Sequence, residues 1–264
     1  MKKTLIVSLI AVALWGCSPS SQETQTQQVE AEKKDHPLQY LTIKEKAAAI
    51  ALPFCEDKKC IDVEIQTLET QDQWLNQWIA QQQSDVIQMQ IGLEQKMTLQ
   101  QAVDAYVKSS DEWRQKNTEN TAYDLNLYTK MAYQKNEFTL LQIVVDAKQQ
   151  DVDFKNRYYF SVADRKQQKT LTLLDIIDSK QQQAMHDLVQ QAYQKWLTEQ
   201  SESVKNQAPK TLYWGQSDWF FDHEGIGLHY RANQIVQDGK QLDIYLTKSQ
   251  TKAMLKAEIY AKMF

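Results

Sequence analysis

The chain has 264 residues, with 30 lysines and arginines against 34 aspartates and glutamates, a net charge of −4, four histidines and three cysteines. That mildly acidic balance, with no basic stretch interleaved with aromatics, argues against a nucleic-acid partner. The seven tryptophans and twelve tyrosines suit a sizeable core, and no apolar run reaches the roughly 20 residues of a membrane-spanning helix.

The chain opens with Lys2 and Lys3, an apolar run from Leu5 to Leu14, and Gly16-Cys17. This is the pattern of a secretory signal, assigned to residues 1–16. Leu14-Trp15-Gly16-Cys17 resembles the bacterial lipobox, which implies a palmitate-type lipid on Cys17 as the link to a membrane. Ser18, rather than an aspartate, resembles the lipoproteins that Gram-negative cells pass on to the outer membrane, so the expected place is that membrane, facing the periplasm. Removal of the two signal lysines takes the net charge from −4 to −6. Residues 17–37, read from SPSSQETQTQQVEAEKKDH, are polar and lack aromatics. They cannot bury enough surface to offset chain entropy and are expected to be a disordered tether. Residues 38–264 then form the folded domain, with 38–170 and 171–264 as the natural division if it has two lobes.

With Cys17 assigned to the lipid, CEDKKC leaves Cys55 and Cys60 as an even pair in an oxidising compartment, expected to be a structural disulfide. Four intervening residues is not the redox Cys-x-x-Cys spacing, and no neighbouring Cys or His completes a zinc set. Ile61, Val63 and Ile65 alternate with polar residues as in a half-buried strand. Thr70-x-x-Gln73 and Thr98-x-x-Gln101 are capping-box patterns. The first opens a helix with an apolar stripe of Trp74, Leu75, Trp78 and Ile79, the second one with Leu99, Ala102, Val103, Tyr106 and Val107.

Three extended runs follow: YDLNLYTKMAYQ, EFTLLQIVVDA and VDFKNRYYFSVA. Their short connections favour an antiparallel meander. A helix entering near Ser179 repeats Ala184, Leu188, Ala192 and Trp196, flanked by Met185, Val189 and Leu197, with His186 between. Strand patterns recur near Asp218 to Phe221, Ile226 to Arg231 and Gln241 to Thr247, before a short C-terminal helix. Strands and helices mix without βαβ alternation, so the fold class is α+β, antiparallel sheets with packed helices.

WFFDHEGIGLHY, Trp219 to Tyr230, holds two of the four histidines. A His-Glu-x-x-His zinc site needs histidines one helical turn apart, whereas His223 and His229 are six apart with two glycines between and lie in strand pattern. Asp222-His223-Glu224-Gly225 reads as a hairpin reversal, with Gly225 supplying a positive φ. Ile226, Leu228 and Tyr230 then share one face of the second strand, and Gly227 and His229 the other. No metal site, no catalytic set and no cofactor motif is identified: Gly-x-Ser-x-Gly, phosphate loops and Ser-x-x-Lys sets are absent from the sequence.

DWFFDHEGIGLHY, NQIVQDGKQLDIYLT and Lys248 to Leu255 together resemble the RsiV-like family: the lysozyme-binding domain of anti-sigma factors, the accessory region of some peptidoglycan deacetylases, and envelope lipoproteins. The KTLTLLDII helix entry and the Trp74 to Ile79 helix fit the same layout. Asn233-Gln234-Ile235-Val236 departs from the family's Tyr-Glu-Ile-Ala element, and Leu246-Thr247 from its Ile-Pro. The resemblance implies an envelope binding protein whose ligand is a lysozyme-type muramidase or cell-wall peptidoglycan. Contacts are expected on the last hairpin, at Trp219, Phe221, Glu224, His229 and Tyr230. The rivals are a cell-wall hydrolase using carboxylates that sequence does not single out, and an envelope assembly or maintenance lipoprotein.

Overall fold

The computed structural model describes residues 38–54, 60–116, 119–150 and 152–264, all within one compact unit, Pro37–Phe264. The signal over 1–16, Cys17, the tether over 17–37 and Cys55 lie outside the described residues. Cys60 is disulfide-bonded.

The fold is α+β. A six-stranded sheet has the order β1-β2-β3-β4-β5-β6, and a three-stranded sheet the order β7-β8-β9. The strands of the first are Lys44–Ala47, Asp62–Glu69, Asp124–Lys135, Phe138–Gln149, Val152–Asp164 and Lys169–Leu171. Those of the second are Asp218–Phe221, Ile226–Tyr230 and Leu242–Tyr245. Helices α1 (Gln73–Gln90) and α2 (Leu99–Lys116) cross between β2 and β3. Helices α3 (Leu173–Ile176), α4 (Gln182–Thr198) and α5 (Glu202–Gln207) precede β7, and α6 (Lys248–Met254) and α7 (Ala257–Met263) follow β9.

The expected meander is present as β3–β4–β5, antiparallel throughout. One pair departs from the antiparallel expectation: β2 and β3 run parallel over Asp62–Ile65 and Asp124–Leu127. The two-helix excursion through α1 and α2 is long enough to bring the chain back to the same end of the sheet, which a tight turn cannot do. Thr98 and Gln101 form the reciprocal bonds of a capping box, Thr98 N–H to Gln101 Oε1 at 2.8 Å and Gln101 N–H to Thr98 Oγ1 at 3.3 Å. The first helix is capped by Asp72 instead of Thr70: its carboxylate accepts from Leu75 N at 3.1 Å and also from Arg165 Nε at 3.3 Å. In α4 the buried line is Met185, Val189, Tyr193 and Trp196, turned one position from the alanine-based repeat because Tyr193 fills more of the core than Ala192. The expected single C-terminal helix is two, parted at Leu255, which is extended and bridges Ile177.

Two hydrophobic clusters share β4 and β5. Leu141, Ile143 and Val145 face α1 and α2 with Leu75, Ile79 and Tyr106, while Phe138, Leu140 and Val162 face the cluster of α4, β7, β8 and β9. Residues before about 170 supply most of the first cluster and later residues most of the second. Alternation along β4 and β5 sends neighbouring side chains to opposite faces, so two cores hang on the same two strands.

Candidate functional site: an aromatic cleft between the sheets

The hairpin at the centre of the sequence reading is present. Asp222 N–H donates to Gly225 O at 3.1 Å, and the Asp222 carboxylate accepts from Glu224 N at 2.7 Å and Gly225 N at 3.3 Å. Gly225 has the expected positive φ, 159°, and close approach adds a second requirement for glycine there: a Cβ would lie 2.2 Å from Leu246 O. A Cβ on Gly227 would lie 2.1 Å from the Phe220 ring. The bare backbone of β8 is what allows the Phe220 side chain to lie across it.

Strand alternation then sorts the candidate residues. Trp219, Phe221 and Tyr230 are 4%, 0% and 1% exposed. Their side chains point into the core, where Trp219 Nε1 donates to Leu171 O at 2.8 Å and the Tyr230 hydroxyl to Tyr213 O at 3.1 Å. They brace the hairpin and have little surface left for a ligand. Glu224 projects from the turn and pairs with the equally exposed His223, at 3.0 Å. His229 lies on the opposite face of β8, buried, with its partner across the sheet: β8 and β9 register His229 against Asp243, and Nδ1 and Asp243 Oδ1 are 2.6 Å apart.

That face of the small sheet and the β3–β4–β5 region of the large sheet enclose a cleft of about 440 Å³. One wall is Tyr133, Leu140, Gln142, Tyr158 and Phe160, and the other is Phe220, Asp222, His229, Gln241, Asp243 and Tyr245. The rings form a continuous run: Phe160 lies 5.0 Å from Phe220, 5.2 Å edge-on from His229 and 6.3 Å, stacked, from Tyr158. Phe220 meets Tyr245 edge-on at 5.5 Å, and Tyr245 is 69% exposed at the mouth.

Asp218 joins the walls. Its Oδ2 accepts from the Phe160 backbone N at 3.1 Å, on the side of β5 away from β4, and from Arg231 at 2.5 Å. Asp243 carries the site's clearest electrostatic signature. Burial raises its carboxyl, but hydrogen bonding and charge from His229 and a bond from Gln241 prevail and hold it below the usual value of 3.8. An ionised Asp243 accepts from His229 Nδ1–H and fixes the ring. Burial, with the charges of Asp243 and Asp222 adding to it, pushes the Tyr245 phenol up, so it is a neutral hydroxyl.

A larger depression of about 570 Å³ at the α1–α2 turn is lined by Asp85, Gln88, Met89 and residues 92–95, but it offers no ring surface. No group of three or more metal-ligating side chains occurs among the described residues, nor, among the same residues, any helix long and apolar enough to cross a membrane.

No family model and no curated protein matches the chain. Among solved structures it is similar to a DUF3298 family protein from Pseudomonas aeruginosa PAO1, at 15% identity and a TM-score of 0.59, over 86% of this chain and 97% of that one. It is also similar to a DUF3298 family member from Bacteroides fragilis NCTC 9343, at 13% identity and a TM-score of 0.57, over 86% and 99%. At that identity the likeness establishes the fold.

Proposed function

We propose that this chain is an RsiV-like envelope binding protein, tethered by a lipid on Cys17 to the periplasmic face of the outer membrane, that takes cell-wall glycan into the aromatic cleft. The observation that carries this reading is the composition of the cleft. Sugar rings present apolar C–H faces and a rim of hydroxyls. Tyr133, Tyr158, Phe160, Phe220 and Tyr245 offer stacking surface, and Gln142, Asp222, Gln241 and Asp243 offer donors and acceptors beside it. The RsiV-like pattern in the hairpin and the likeness to DUF3298 structures fit the same reading. Full-length protein in detergent should co-sediment with insoluble peptidoglycan, and Tyr245→Ala together with Phe220→Ala should weaken the association by about thirty-fold or more, at roughly 1–3 kcal/mol per lost stacking platform. Sedimentation indifferent to both changes would remove the cleft from the explanation.

A second reading rests on the exposed acidic turn Asp222–Glu224 at the cleft mouth. It would suit a cationic protein such as a lysozyme-type muramidase. Calorimetry against lysozyme tests it: this reading requires a complex at tens of micromolar that Glu224→Gln weakens.

A further inference from the structure

The aromatic surface does not end at Tyr158. Strand register places Tyr128 of β3, Val144 of β4 and Tyr158 of β5 in one row, each directly opposite the next. The row beside it is Lys130, Gln142 and Phe160. Alternation puts both rows on the face of the large sheet away from Leu127, Ile143 and Tyr159, which pack with α1 and α2. Tyr158, Gln142 and Phe160 line the cleft. Tyr128 borders a different hollow of about 430 Å³, shared with Ala47, Glu64 and Gln66 at the end of β1, and is 45% exposed. Along the row, therefore, only the half-buried Val144 stands between a ring in the cleft and a ring in the second hollow.

Dimensions and chemistry together indicate an occupant. Two strand spacings set the Tyr128 and Tyr158 backbones about 10 Å apart, the length of one disaccharide unit in an extended β-1,4-linked chain. Rings at that interval can each stack a sugar, and the short side chain of Val144 leaves a low apolar floor between them. Gln66, Lys130 and Gln142 stand beside the row with donors for hydroxyl and acetamido oxygens. An amphipathic helix would instead need a continuous apolar groove, whereas separated rings with polar flanks suit a polyhydroxylated chain.

We propose that the row of Tyr128, Val144 and Tyr158 extends the cleft into a track for a glycan strand, with Tyr128 as a second stacking platform one disaccharide beyond it. This rests on the glycan reading of the cleft and adds a ligand length to it: the preferred ligand is a tetrasaccharide or longer, lying across β3, β4 and β5.

Chitobiose and chitotetraose, soluble β-1,4-linked oligomers of N-acetylglucosamine, are the probes, titrated by calorimetry into the full chain in detergent. The tetrasaccharide should bind about ten-fold more tightly than the disaccharide, the contribution of one further aromatic contact. Tyr128→Ala should erase that gain and leave disaccharide affinity in place, and Tyr128→Phe, which keeps the ring, should retain most of it. Equal affinity of the wild type for the two oligomers, or a gain that survives Tyr128→Ala, would overturn the track while leaving the cleft reading intact. Binding of neither oligomer would remove both. A wild-type dimer in sedimentation velocity that Tyr128→Ala dissociates would give the row to a second copy of the chain and likewise overturn the track.

Discussion

At the residue scale, the informative positions are the ones on the unfashionable face of β8. Gly227 is required by the Phe220 ring lying across it, so Gly227→Ala should destabilise the protein by about 1–3 kcal/mol through overpacking. It should also lose the Phe220 contribution to near-ultraviolet circular dichroism. Urea titration measures the first, and Phe220→Leu in the same chain should return part of the loss, since the two sites share one contact. Asp243 makes a prediction in pH. Its folded-state carboxyl is held below 3.8, so its contribution is fully present above the unfolded value and disappears as pH falls through the lower folded one. Wild type should therefore lose stability faster than Asp243→Asn as pH drops below about 4, and parallel curves in acid titrations of thermal midpoint would contradict this. The partnership of His229 with Asp243 was within reach of sequence. Asp243 alternates with Leu242 and Ile244 just as His229 does with Leu228 and Tyr230, and pairing the two predicted strands puts both on the cleft side. Gly225 was legible as a glycine position through its positive φ, whereas the Leu246 carbonyl that also crowds it lies beyond the hairpin and outside local pattern.

At the element scale, β5 decides the site. From Val152 to Ser161 it is paired on one side with β4, and β6 covers only Val162 to Asp164 on the other. An open edge exposes unpaired amides, and Asp218 of β7 closes it by accepting from Phe160 N while holding Arg231. Asp218→Ala should cost about 2 kcal/mol, because it leaves a buried amide and a largely buried guanidinium without their acceptor. Asp218→Asn keeps a carbonyl for the amide and should cost less. Hydrogen exchange at the Phe160 amide is the direct measure: it should rise sharply in the alanine variant and only modestly in the asparagine one, and equal protection in both would show that the carboxylate is not what seals the edge. Sequence periodicity located β3, β4, β5, β7, β8 and β9 well, because each alternates or stays apolar over its length. It did not show which strand faces the hairpin across the cleft. Tyr133, Gln142, Tyr158 and Phe160 come from far upstream, and local pattern contains no term for that distance. The parallel β2–β3 pair was missed for a related reason: its direction is set by the packing of α1 and α2, not by anything within the strands.

At the scale of the whole molecule, two cores are carried by one pair of strands, and that arrangement makes a claim about cooperativity. Leu140 belongs to the cluster of α4 and the three-stranded sheet, while its neighbour Leu141 belongs to the cluster of α1 and α2. Each is nearly fully buried, so Leu140→Ala and Leu141→Ala should each cost about 2–5 kcal/mol. If the clusters were independent, the first change would loosen only the C-terminal part and the second only the N-terminal part. Strand β4 cannot leave one face and stay on the other, however, because its backbone bonds to β3 and β5 serve both. Unfolding should remain a single transition in both variants, shifted to lower urea by similar amounts. The tryptophans make this measurable. Trp196, Trp214 and Trp219 report on one cluster, and Trp78 with its packed neighbours Trp74 and Trp113 on the other. Tryptophan-to-phenylalanine backgrounds that keep only one set should give superimposable fluorescence curves, coincident with far-ultraviolet circular dichroism. Native-state hydrogen exchange should likewise assign the slowest amides of α1 and α4 the same opening free energy, since both report global unfolding. Separate midpoints for the two tryptophan sets would mean that the cleft wall formed by β7, β8 and β9 can open on its own. The aromatic run would then be assembled on ligand binding rather than ready beforehand, and the ligand would have to offset that ordering from its own affinity.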